Sequence, residues 1–476
     1  MRKSPVILLF LLLLFLQSGL PMGYATPEVS WIVTTQADPW QNGGPVAFTK
    51  AKGKDFTIEI DKKTIYQEID GFGGAFNEKG WAALSLLTPE QREEALKALF
   101  DPNEAGFNIC RVPIGASDYA IDRYTLNETK DDFQMEHFSI ERDKGCLIPY
   151  IKAAMKFKPD LKIWASVWTP PTWMKTNGEF DGGYMKSDPQ TYKAYALYLA
   201  RFLEAYQKEG INAYAVAVQN EPTIETHYPS CLWTENQFLT FIKNHLGPLF
   251  KDRGVKGEIW LGTMQDGDYT KYPKTVLEDP EANGYINTVG FQWDGLYSVN
   301  WTRRNYPEKK IMQTETECGN WYWKAGFDPN KPQNDWKYGV YTWNKVKDYF
   351  VQGVNSYMLW NMVLDEEGKS IDSMRPWPQN AAIVVDRNTK SLIYTPMYYA
   401  FKHFSHFVKP GARLVGLRPY DAWSHSNAIA FQNPEGGIVL VLQNTTESEK
   451  PVKVKLEKKS VTVTLPPQSW STLILP

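Results

Sequence analysis

The sequence predicts an α/β protein in which a (β/α)8 (TIM) barrel carries an appended β-sandwich formed from both chain ends. Three observations favour this fold class. Eight apolar, strand-like runs recur between residues 71 and 361, amphipathic helix-like stretches separate them, and both flanking regions are rich in short strands. A parallel barrel needs this alternation of strand and helix, typically over about 250 residues. A doubly wound open sheet is the alternative that the same alternation allows.

The middle of the chain supplies the predicted barrel strands. We place them at residues 71–76, 107–112, 162–168, 213–219, 258–263, 286–293, 309–315 and 356–361. Helices are predicted between them, among others at 89–100, 190–208 and 235–250. The first of these helices opens on Thr88-Pro89-Glu90-Gln91, which is a capping box with proline at the first helical position.

The two ends of the chain share a different texture, which predicts the β-sandwich. Strands are expected at 31–34 and 56–60 near the N-terminus, and at 428–431, 438–442, 452–456 and 461–465 near the C-terminus. About 450 residues exceed what one hydrophobic core usually supports, so a second, smaller domain is expected. We therefore divide the chain into a signal peptide at 1–25, N-terminal sandwich strands at 26–68, the barrel at 69–404 and the C-terminal sandwich at 405–476.

The first residues have the layout of a secretory signal. Arg2 and Lys3 give a positive start, residues 6–16 form a short apolar core, and Gly23-Tyr24-Ala25 offers small residues for cleavage. We expect cleavage after Ala25 and a secreted or periplasmic protein with no stable membrane insertion afterwards. A retained membrane anchor is the alternative, although the apolar core is short for a bilayer span.

Composition excludes several classes of partner. The net charge is −2 with both signs interspersed, so a nucleic-acid partner is not expected. Six histidines without ligand spacing predict neither a metal nor another cofactor, and we expect a monomer. The cysteines leave room for one or two disulfides, but Cys110 lies in an apolar run and is predicted to be a buried thiol. No G-x-S-x-G or H-E-x-x-H occurs, which excludes the corresponding serine hydrolases and zinc proteases.

Polar and aromatic residues recur where the predicted strands end, which is where barrels of this kind carry their active sites. Aromatic residues make up 14% of the chain, including 18 tryptophans, and the flat face of tryptophan suits the apolar face of a sugar ring. The residues at these strand ends are Asn77, Arg111, Trp168, Asn220, Glu221, Trp293, Glu315 and Trp360. Trp168 and Trp360 are equally typical of a hydrophobic core.

Two glutamates in this set point to glycoside cleavage. Glu221 and Glu315 are 94 residues apart, which at about 30 residues per βα unit places them on the fourth and seventh strands. Those strands face each other across a barrel mouth, so the two carboxyl groups can flank one glycosidic bond. In a retaining enzyme the carboxyl groups lie about 5 Å apart, one protonated and one ionised.

Supporting and competing residues accompany this pair. Asn220 is placed to hydrogen-bond a sugar 2-hydroxyl, and Arg111 to keep Glu315 ionised. Glu317 is the alternative nucleophile, because Thr314-Glu315-Thr316-Glu317 presents two carboxyl groups on the same face of the strand. The run Asn220-Glu221-Pro222 is also ordinary turn chemistry.

The chain resembles glycoside hydrolase family 30, the clan A group that includes glucocerebrosidase and β-1,6-glucanases. The resemblance runs from about residue 66 to the C-terminus and rests on many motifs in order. They include Asp70-Gly71-Phe72-Gly73-Gly74-Ala75, Arg111-Val112-Pro113, Ala116-Ser117-Asp118-Tyr119, residues 168–178, Asn220-Glu221-Pro222, Tyr228-Pro229-Ser230-Cys231, Glu315-Thr316-Glu317-Cys318 and Trp360-Asn361.

The resemblance implies a β-glucosidase with a barrel and a sandwich made from both chain ends. It implies Glu221 as the acid/base and Glu315 as the nucleophile. Contacts to the terminal glucose are implied for Asp118, Trp168, Asn220 and Trp360.

One departure from the family pattern bears on the substrate. Glucocerebrosidase-like members carry His-Trp-Tyr after the sixth strand, where this chain has Gln292-Trp293-Asp294. The Gln-Trp version is more similar to bacterial members that act on β-1,6-linked glucan, so we expect β-1,6-glucan or its oligosaccharides as the substrate. A glycolipid substrate and a catalytically inactive glycan-binding protein are the alternatives.

Overall fold

A computed structural model of the chain describes residues 28–316, 319–321 and 324–476. The predicted signal peptide, Glu317 and Cys318 therefore lie outside the described residues. Within the described ranges, no helix is long and apolar enough to span a lipid bilayer. Cys110, Cys146 and Cys231 are free and buried, as predicted for Cys110.

Eight parallel strands close into a barrel. In chain order they are β6 (Gly71–Ala75), β7 (Ile109–Ile114), β8 (Lys162–Val167), β9 (Ala213–Ala217), β10 (Glu258–Met264), β11 (Ile286–Gln292), β12 (Lys310–Glu315) and β13 (Ser356–Asn361). The last strand pairs with the first, Tyr357 opposite Phe72, so the open-sheet alternative is wrong. Each strand overlaps one predicted run, because strands covered on both sides are recognisable as short continuous apolar segments.

The inside of the barrel is packed with side chains. Trp164 of β8 and Trp260 of β10 lie with their ring centres 4.7 Å apart. They share a buried cluster with Ile109, Ala215, Ala217, Met312 and Met358. This apolar cluster fills the interior of the barrel. A ligand of the barrel is therefore expected to bind at the mouth, where the carboxyl ends of the strands lie.

Twelve α-helices are found in the described part of the chain. They are α1 (Glu78–Ser85), α2 (Pro89–Phe100), α3 (Leu147–Met155), α4 (Pro189–Lys208), α5 (Glu235–Phe241), α6 (Gly247–Arg253), α7 (Tyr272–Leu277), α8 (Pro280–Tyr285), α9 (Leu296–Asn305), α10 (Trp336–Gln352), α11 (Pro396–Ser405) and α12 (Ala422–Asn427). The capping box at Thr88 forms as predicted. The helix predicted at 235–250 is interrupted by a π-helical turn, Ile242–Leu246, between α5 and α6.

Strands from both chain ends join one eleven-stranded sheet. From the N-terminal end come β1 (Glu28–Thr35), β2 (Gln41–Asn42), β3 (Val46–Ala47), β4 (Thr49–Lys50) and β5 (Ile58–Glu68). From the C-terminal end come β17 (Arg413–Pro419), β18 (Ala428–Gln432), β19 (Ile438–Asn444), β20 (Lys450–Leu456), β21 (Lys459–Leu465) and β22 (Ser469–Leu475). The order is β2-β1-β22-β19-β18-β17-β5-β20-β21-β4, with β3 paired to β1, so strands from the two chain ends are interleaved within it.

The barrel and this sheet pack directly against each other. Trp336 of α10 stacks on Trp470 of β22 with ring centres 3.7 Å apart. His403 of α11 is buried and hydrogen-bonds Thr34 and Thr472, one from each chain end. A three-stranded sheet follows the barrel strands and was not predicted: β14 (Val363–Asp365), β15 (Ile383–Val385) and β16 (Leu392–Tyr394).

Candidate active site

A cavity of about 960 Å³ opens at the carboxyl ends of the barrel strands. Four of the predicted site residues line it: Asp118, Glu221, Trp293 and Glu315. Each follows or ends a different barrel strand, which is why residues so distant in sequence meet at one mouth. Within the described part of the chain, no group of three or more histidine, cysteine, aspartate or glutamate side chains is arranged to hold a metal ion.

Glu221 and Glu315 occupy the fourth and seventh barrel strands, as their spacing in the sequence predicts. Glu221 lies four residues beyond the end of β9, and Glu315 is the last residue of β12. Glu221 has φ of 47°, a left-handed conformation that non-glycine residues rarely adopt. Its N–H donates to the Thr263 carbonyl at 2.9 Å, which helps hold this conformation. Such backbone strain concentrates at functional sites.

Arg111 forms hydrogen bonds with residues on both sides of the mouth. Its guanidinium is fully buried and donates to Glu315 Oε2 at 2.6 Å and to Asn220 Oδ1 at 2.7 Å. A third bond, from Nε to Ser166 Oγ, is 2.7 Å long. A buried guanidinium beside a carboxyl group favours the ionised form of that carboxyl. The predicted pairing of Arg111 with Glu315 is therefore present in the geometry.

Asn220 is oriented by its neighbours. Its Oδ1 accepts hydrogen bonds from Arg111 and from the Thr263 hydroxyl, the latter at 2.8 Å. Gln292 Nε2 donates to the same oxygen at 3.3 Å. Because these donors all meet the amide oxygen, the Asn220 amide nitrogen is the end left for other partners.

Two of the predicted tryptophans, Trp168 and Trp360, are buried and do not line the cavity. The Trp168 and Trp360 rings stack with centres 5.0 Å apart, and both are at most 2% exposed. The Arg111 guanidinium carbon is 4.2 Å from the Trp168 ring centre, a cation–π contact. The two rings therefore pack against Arg111.

Asp118 is a third carboxyl group at the cavity. Trp360 Nε1 donates to its Oδ2 at 3.2 Å, while its other oxygen, Oδ1, is buried without a hydrogen-bond partner. Burial raises the pKa of Asp118 well above its ordinary value, and the negative charges of Glu315 and Glu221 add to this. An unpaired buried acceptor that faces a cavity is suited to a polar group of a ligand.

The two glutamates have different charged neighbours, which shift their pKa values differently. Burial, followed by the charge of Glu315, raises the pKa of Glu221 to about 7. Burial also raises the pKa of Glu315, but the Arg111 charge and hydrogen bond oppose that rise. The arrangement thus favours one ionised carboxylate at Glu315 and one carboxyl group at Glu221 that keeps its proton near neutral pH.

Several residues that touch the carboxyl pair were not predicted from the sequence. The hydrogen-bonding influence of Gln292 lowers the pKa of both glutamates, and the Tyr228 hydroxyl donates to Glu221 Oε2 at 3.4 Å. In the sequence, both residues belong to longer motifs that give neither of them a role. Only the position of Gln292 near the end of a predicted strand could have indicated that it belongs to the site. Asn77, in contrast, is the N-cap of α1, where its side chain accepts from the Gly80 N–H at 2.7 Å.

Fold and site together define the class of this protein: it is a glycosidase built on a (β/α)8 barrel with an attached β-sandwich. Residues 69–408 match the family model described as the glycosyl hydrolase family 30 TIM-barrel domain. Residues 411–473 match the glycosyl hydrolase family 30 beta sandwich domain. The chain belongs to glycosyl hydrolase family 30.

Known proteins of two activities are similar to this chain. It is 29% identical to the lysosomal acid glucosylceramidase of Mus musculus over 416 residues, 84% of this chain and 78% of that protein. It is 28% identical to an endo-1,6-β-D-glucanase of Aspergillus fumigatus over 450 residues, 88% of this chain and 87% of that protein.

Two solved structures have the same architecture. SrfJ from Salmonella typhimurium superposes with a TM-score of 0.85 at 26% identity, covering 94% of this chain and 99% of that one. The endo-β1,6-glucanase BT3312 superposes with a TM-score of 0.81, also at 26% identity and with the same coverage.

Proposed function

We propose that this family 30 glycosidase hydrolyses β-D-glucosidic bonds with retention of configuration, with Glu315 as the nucleophile and Glu221 as the acid/base. The observation that carries the proposal is the asymmetry of the pair. Glu315 accepts a hydrogen bond from the buried Arg111 guanidinium, whereas the hydrogen-bonding groups that lower the pKa of Glu221 are the uncharged Gln292 and Tyr228. A nucleophile must be ionised and a general acid must carry a proton at the same pH.

The proposed reaction has two steps. Glu315 attacks the anomeric carbon while the Glu221 carboxyl group gives its proton to the departing glycosidic oxygen, leaving a glucosyl ester on Glu315. Esterification removes the negative charge of Glu315, so the pKa of Glu221 falls and its carboxylate can act as a base. Glu221 then takes a proton from water, whose oxygen attacks the anomeric carbon and releases β-glucose and the Glu315 carboxylate.

Further residues support sugar binding in this scheme. Trp293 lies on the cavity wall, half-buried, and offers a flat apolar face. Asp118 presents its unpaired oxygen, and the Asn220 amide nitrogen is free to meet a 2-hydroxyl. Trp168 and Trp360 would contribute indirectly, by packing against Arg111.

For the substrate we propose β-1,6-linked glucan or its oligosaccharides. The cavity lining includes the charged side chains Glu225, Asp294, Lys324, Lys345 and Asp372, together with the exposed apolar side chains of Ile224, Phe327 and Met374. The charged members of this lining suit the hydroxyl groups of further sugars. Relatives with endo-1,6-β-D-glucanase activity support this choice, and relatives with glucosylceramidase activity support the alternative.

A substrate panel separates these two possibilities. Hydrolysis rates are measured on gentiobiose, β-1,6-glucan, glucosylceramide and xylan at matched enzyme concentration. We expect the highest kcat/KM on a β-1,6-linked substrate. A preference for glucosylceramide would move the proposal to the glycolipid, and a preference for xylan would overturn the assignment to glucosides.

The catalytic assignment is tested by chemical rescue. Glu315→Ala is expected to lower kcat on an aryl β-glucoside by on the order of 10⁴- to 10⁶-fold. Azide should restore part of the rate and yield the α-glucosyl azide, since it attacks from the open face. With Glu221→Ala the same experiment should yield the β-glucosyl azide, because the ester still forms.

Two results would contradict this assignment. Rescue with an α-product at Glu317→Ala instead would move the nucleophile to that residue. Appearance of the α-anomer as the first product of the unaltered enzyme, followed by NMR, would exclude retention.

Secretion is part of the proposal and rests on the first 25 residues of the sequence. We expect the exported protein to begin at Thr26. The intact mass of the protein recovered outside the cytoplasm tests this directly. A mass that includes residues 1–25 would favour the retained anchor.

A further inference from the structure

Gln292 occupies a position between the two glutamates that is created by an irregularity in the barrel. It is the last residue of β11 and is fully buried. Along β11 and β12, Phe291 is opposite Gln313, but the next pair is Gln292 with Glu315, so Thr314 is skipped. Bulges of this kind re-aim side chains next to active sites. Here the bulge brings the end of β11 level with Glu315.

The orientation of the Gln292 amide is fixed by its neighbours. The Thr314 hydroxyl hydrogen-bonds Gln292 Oε1 at 3.0 Å, which leaves the Nε2 group to face the site. Nε2 lies 3.3 Å from Asn220 Oδ1, and the hydrogen-bonding influence of this side chain lowers the pKa of both Glu221 and Glu315. Asn220 Oδ1 already accepts from Arg111 and Thr263 at shorter distances. One Nε2 hydrogen is directed to Asn220, and the other is available to the carboxyl groups.

In the proposed reaction the negative charge moves between these same carboxyl groups. The free enzyme carries it on Glu315, and the glucosyl-enzyme carries it on Glu221 after proton donation. Arg111 donates a hydrogen bond to Glu315 but not to Glu221. It therefore cannot stabilise the negative charge by a hydrogen bond once that charge is on Glu221. Gln292 faces both carboxyl groups and, being an amide, donates without ever titrating itself.

We propose that Gln292 is a positioning residue that donates a hydrogen bond to whichever glutamate is ionised and so serves both half-reactions. This inference rests on the proposed function. Its amide hydrogen bonds favour the charged form of each carboxyl group. The other titratable or charged groups around the pair are Arg111, Asp118 and Tyr228. None of these three faces both glutamates through a hydrogen bond in the described structure.

The test is the pH profile of kcat/KM for Gln292→Met, a side chain of similar shape without hydrogen-bonding hydrogens. The acidic limb reports ionisation of Glu315, and the basic limb reports loss of the Glu221 proton. Removing a donor shared by both carboxylates should move both limbs to higher pH, by up to about one unit each. At the pH optimum, kcat should fall by about tenfold or more.

Two further variants control for folding and packing. Gln313→Met removes a buried glutamine of the neighbouring strand that bonds Thr316 and Met358 but neither glutamate, so both limbs should stay in place. Thr314→Val removes the hydroxyl that orients Gln292 and should move both limbs upward by less than Gln292→Met does. If Gln292→Met does not fold, Thr314→Val carries the test.

The outcomes are distinct from those of the proposed function. A lower kcat with neither limb moved would show that Gln292 is structural only and would overturn the inference. Movement of one limb alone would show that Gln292 serves one glutamate, which also overturns it. Failure of azide rescue at Glu315→Ala would refute the catalytic assignment itself, whatever the Gln292 profile shows.

Discussion

Two buried carboxyl groups in this protein have nearly the same acidity but opposite surroundings. Burial raises the pKa of both Glu221 and Asp143 to about 7. Glu221 lines the cavity and faces the second carboxyl group, Glu315. Asp143 lies in the short 3₁₀ turn before α3, is sealed from solvent, and accepts hydrogen bonds from two tyrosine hydroxyls.

The comparison teaches that a raised pKa does not by itself mark a catalytic acid. Desolvation is the first cause at both sites, and either group would attract attention on acidity alone. What separates them is access to a cavity and a partner carboxylate held by Arg111. Asp143 has instead Tyr124 and Tyr206 as donors, so its surroundings are those of a structural group.

The largest expected difference between the two groups is in activity. Glu221→Gln removes the proposed acid and should lower kcat/KM on a substrate with a poor leaving group by about 10²- to 10⁴-fold. Asp143→Asn keeps the shape of a group remote from the cavity and should change kcat/KM by no more than about twofold. Steady-state kinetics on gentiobiose and an activated aryl glucoside measure both. Equal losses in the two variants would remove the distinction.

The next effect concerns stability and its dependence on pH. The pKa of Asp143 is raised from its ordinary value of 3.8 to about 7, so between these values the folded protein binds more protons than the unfolded chain. Its contribution to stability is therefore fully present below about pH 4 and is lost as the pH rises to about 7.

Asp143→Asn cannot ionise and should escape this loss. Relative to the variant, the unaltered protein should lose up to about 4 kcal/mol of unfolding free energy between pH 4 and pH 8. Urea unfolding at the two pH values measures the difference. Parallel changes in the two proteins would show that Asp143 stays protonated, or paired, throughout.

The smallest effect compares the tyrosine donors of the two sites. The 3.4 Å hydrogen bond from Tyr228 lowers the pKa of Glu221. Tyr228→Phe removes this bond, so the pKa of Glu221 and the basic limb of the pH profile should rise by about 0.3 unit. Tyr206→Phe removes a 2.9 Å bond to Asp143. It should leave the profile unchanged and lower the unfolding free energy at pH 8 by about 1 kcal/mol. Equal limb shifts would contradict the separation of the sites.

Much of the fold was predictable because its signals are local. Barrel strands covered on both sides are short apolar runs, and α2 was marked by its capping box. Strands β17 and β22 were missed, since Arg413–Pro419 and Ser469–Leu475 carry polar or glycine residues that weaken the alternation. The π-turn at Ile242–Leu246 was missed because the apolar spacing there is still helical.

The sequence by itself determined which residues end the barrel strands, and therefore which side chains share the mouth. It placed Glu221 and Glu315 on the fourth and seventh strands, because each βα unit occupies a nearly constant length of chain. Only the tertiary structure decided that Trp168 and Trp360 pack against Arg111, that burial raises the pKa of Asp143 as it does that of Glu221, and that Gln292 influences both glutamates. Those facts depend on contacts between residues far apart in the sequence, up to 204 positions in the case of Arg111 and Glu315, and on one skipped residue in β12, which no local pattern records.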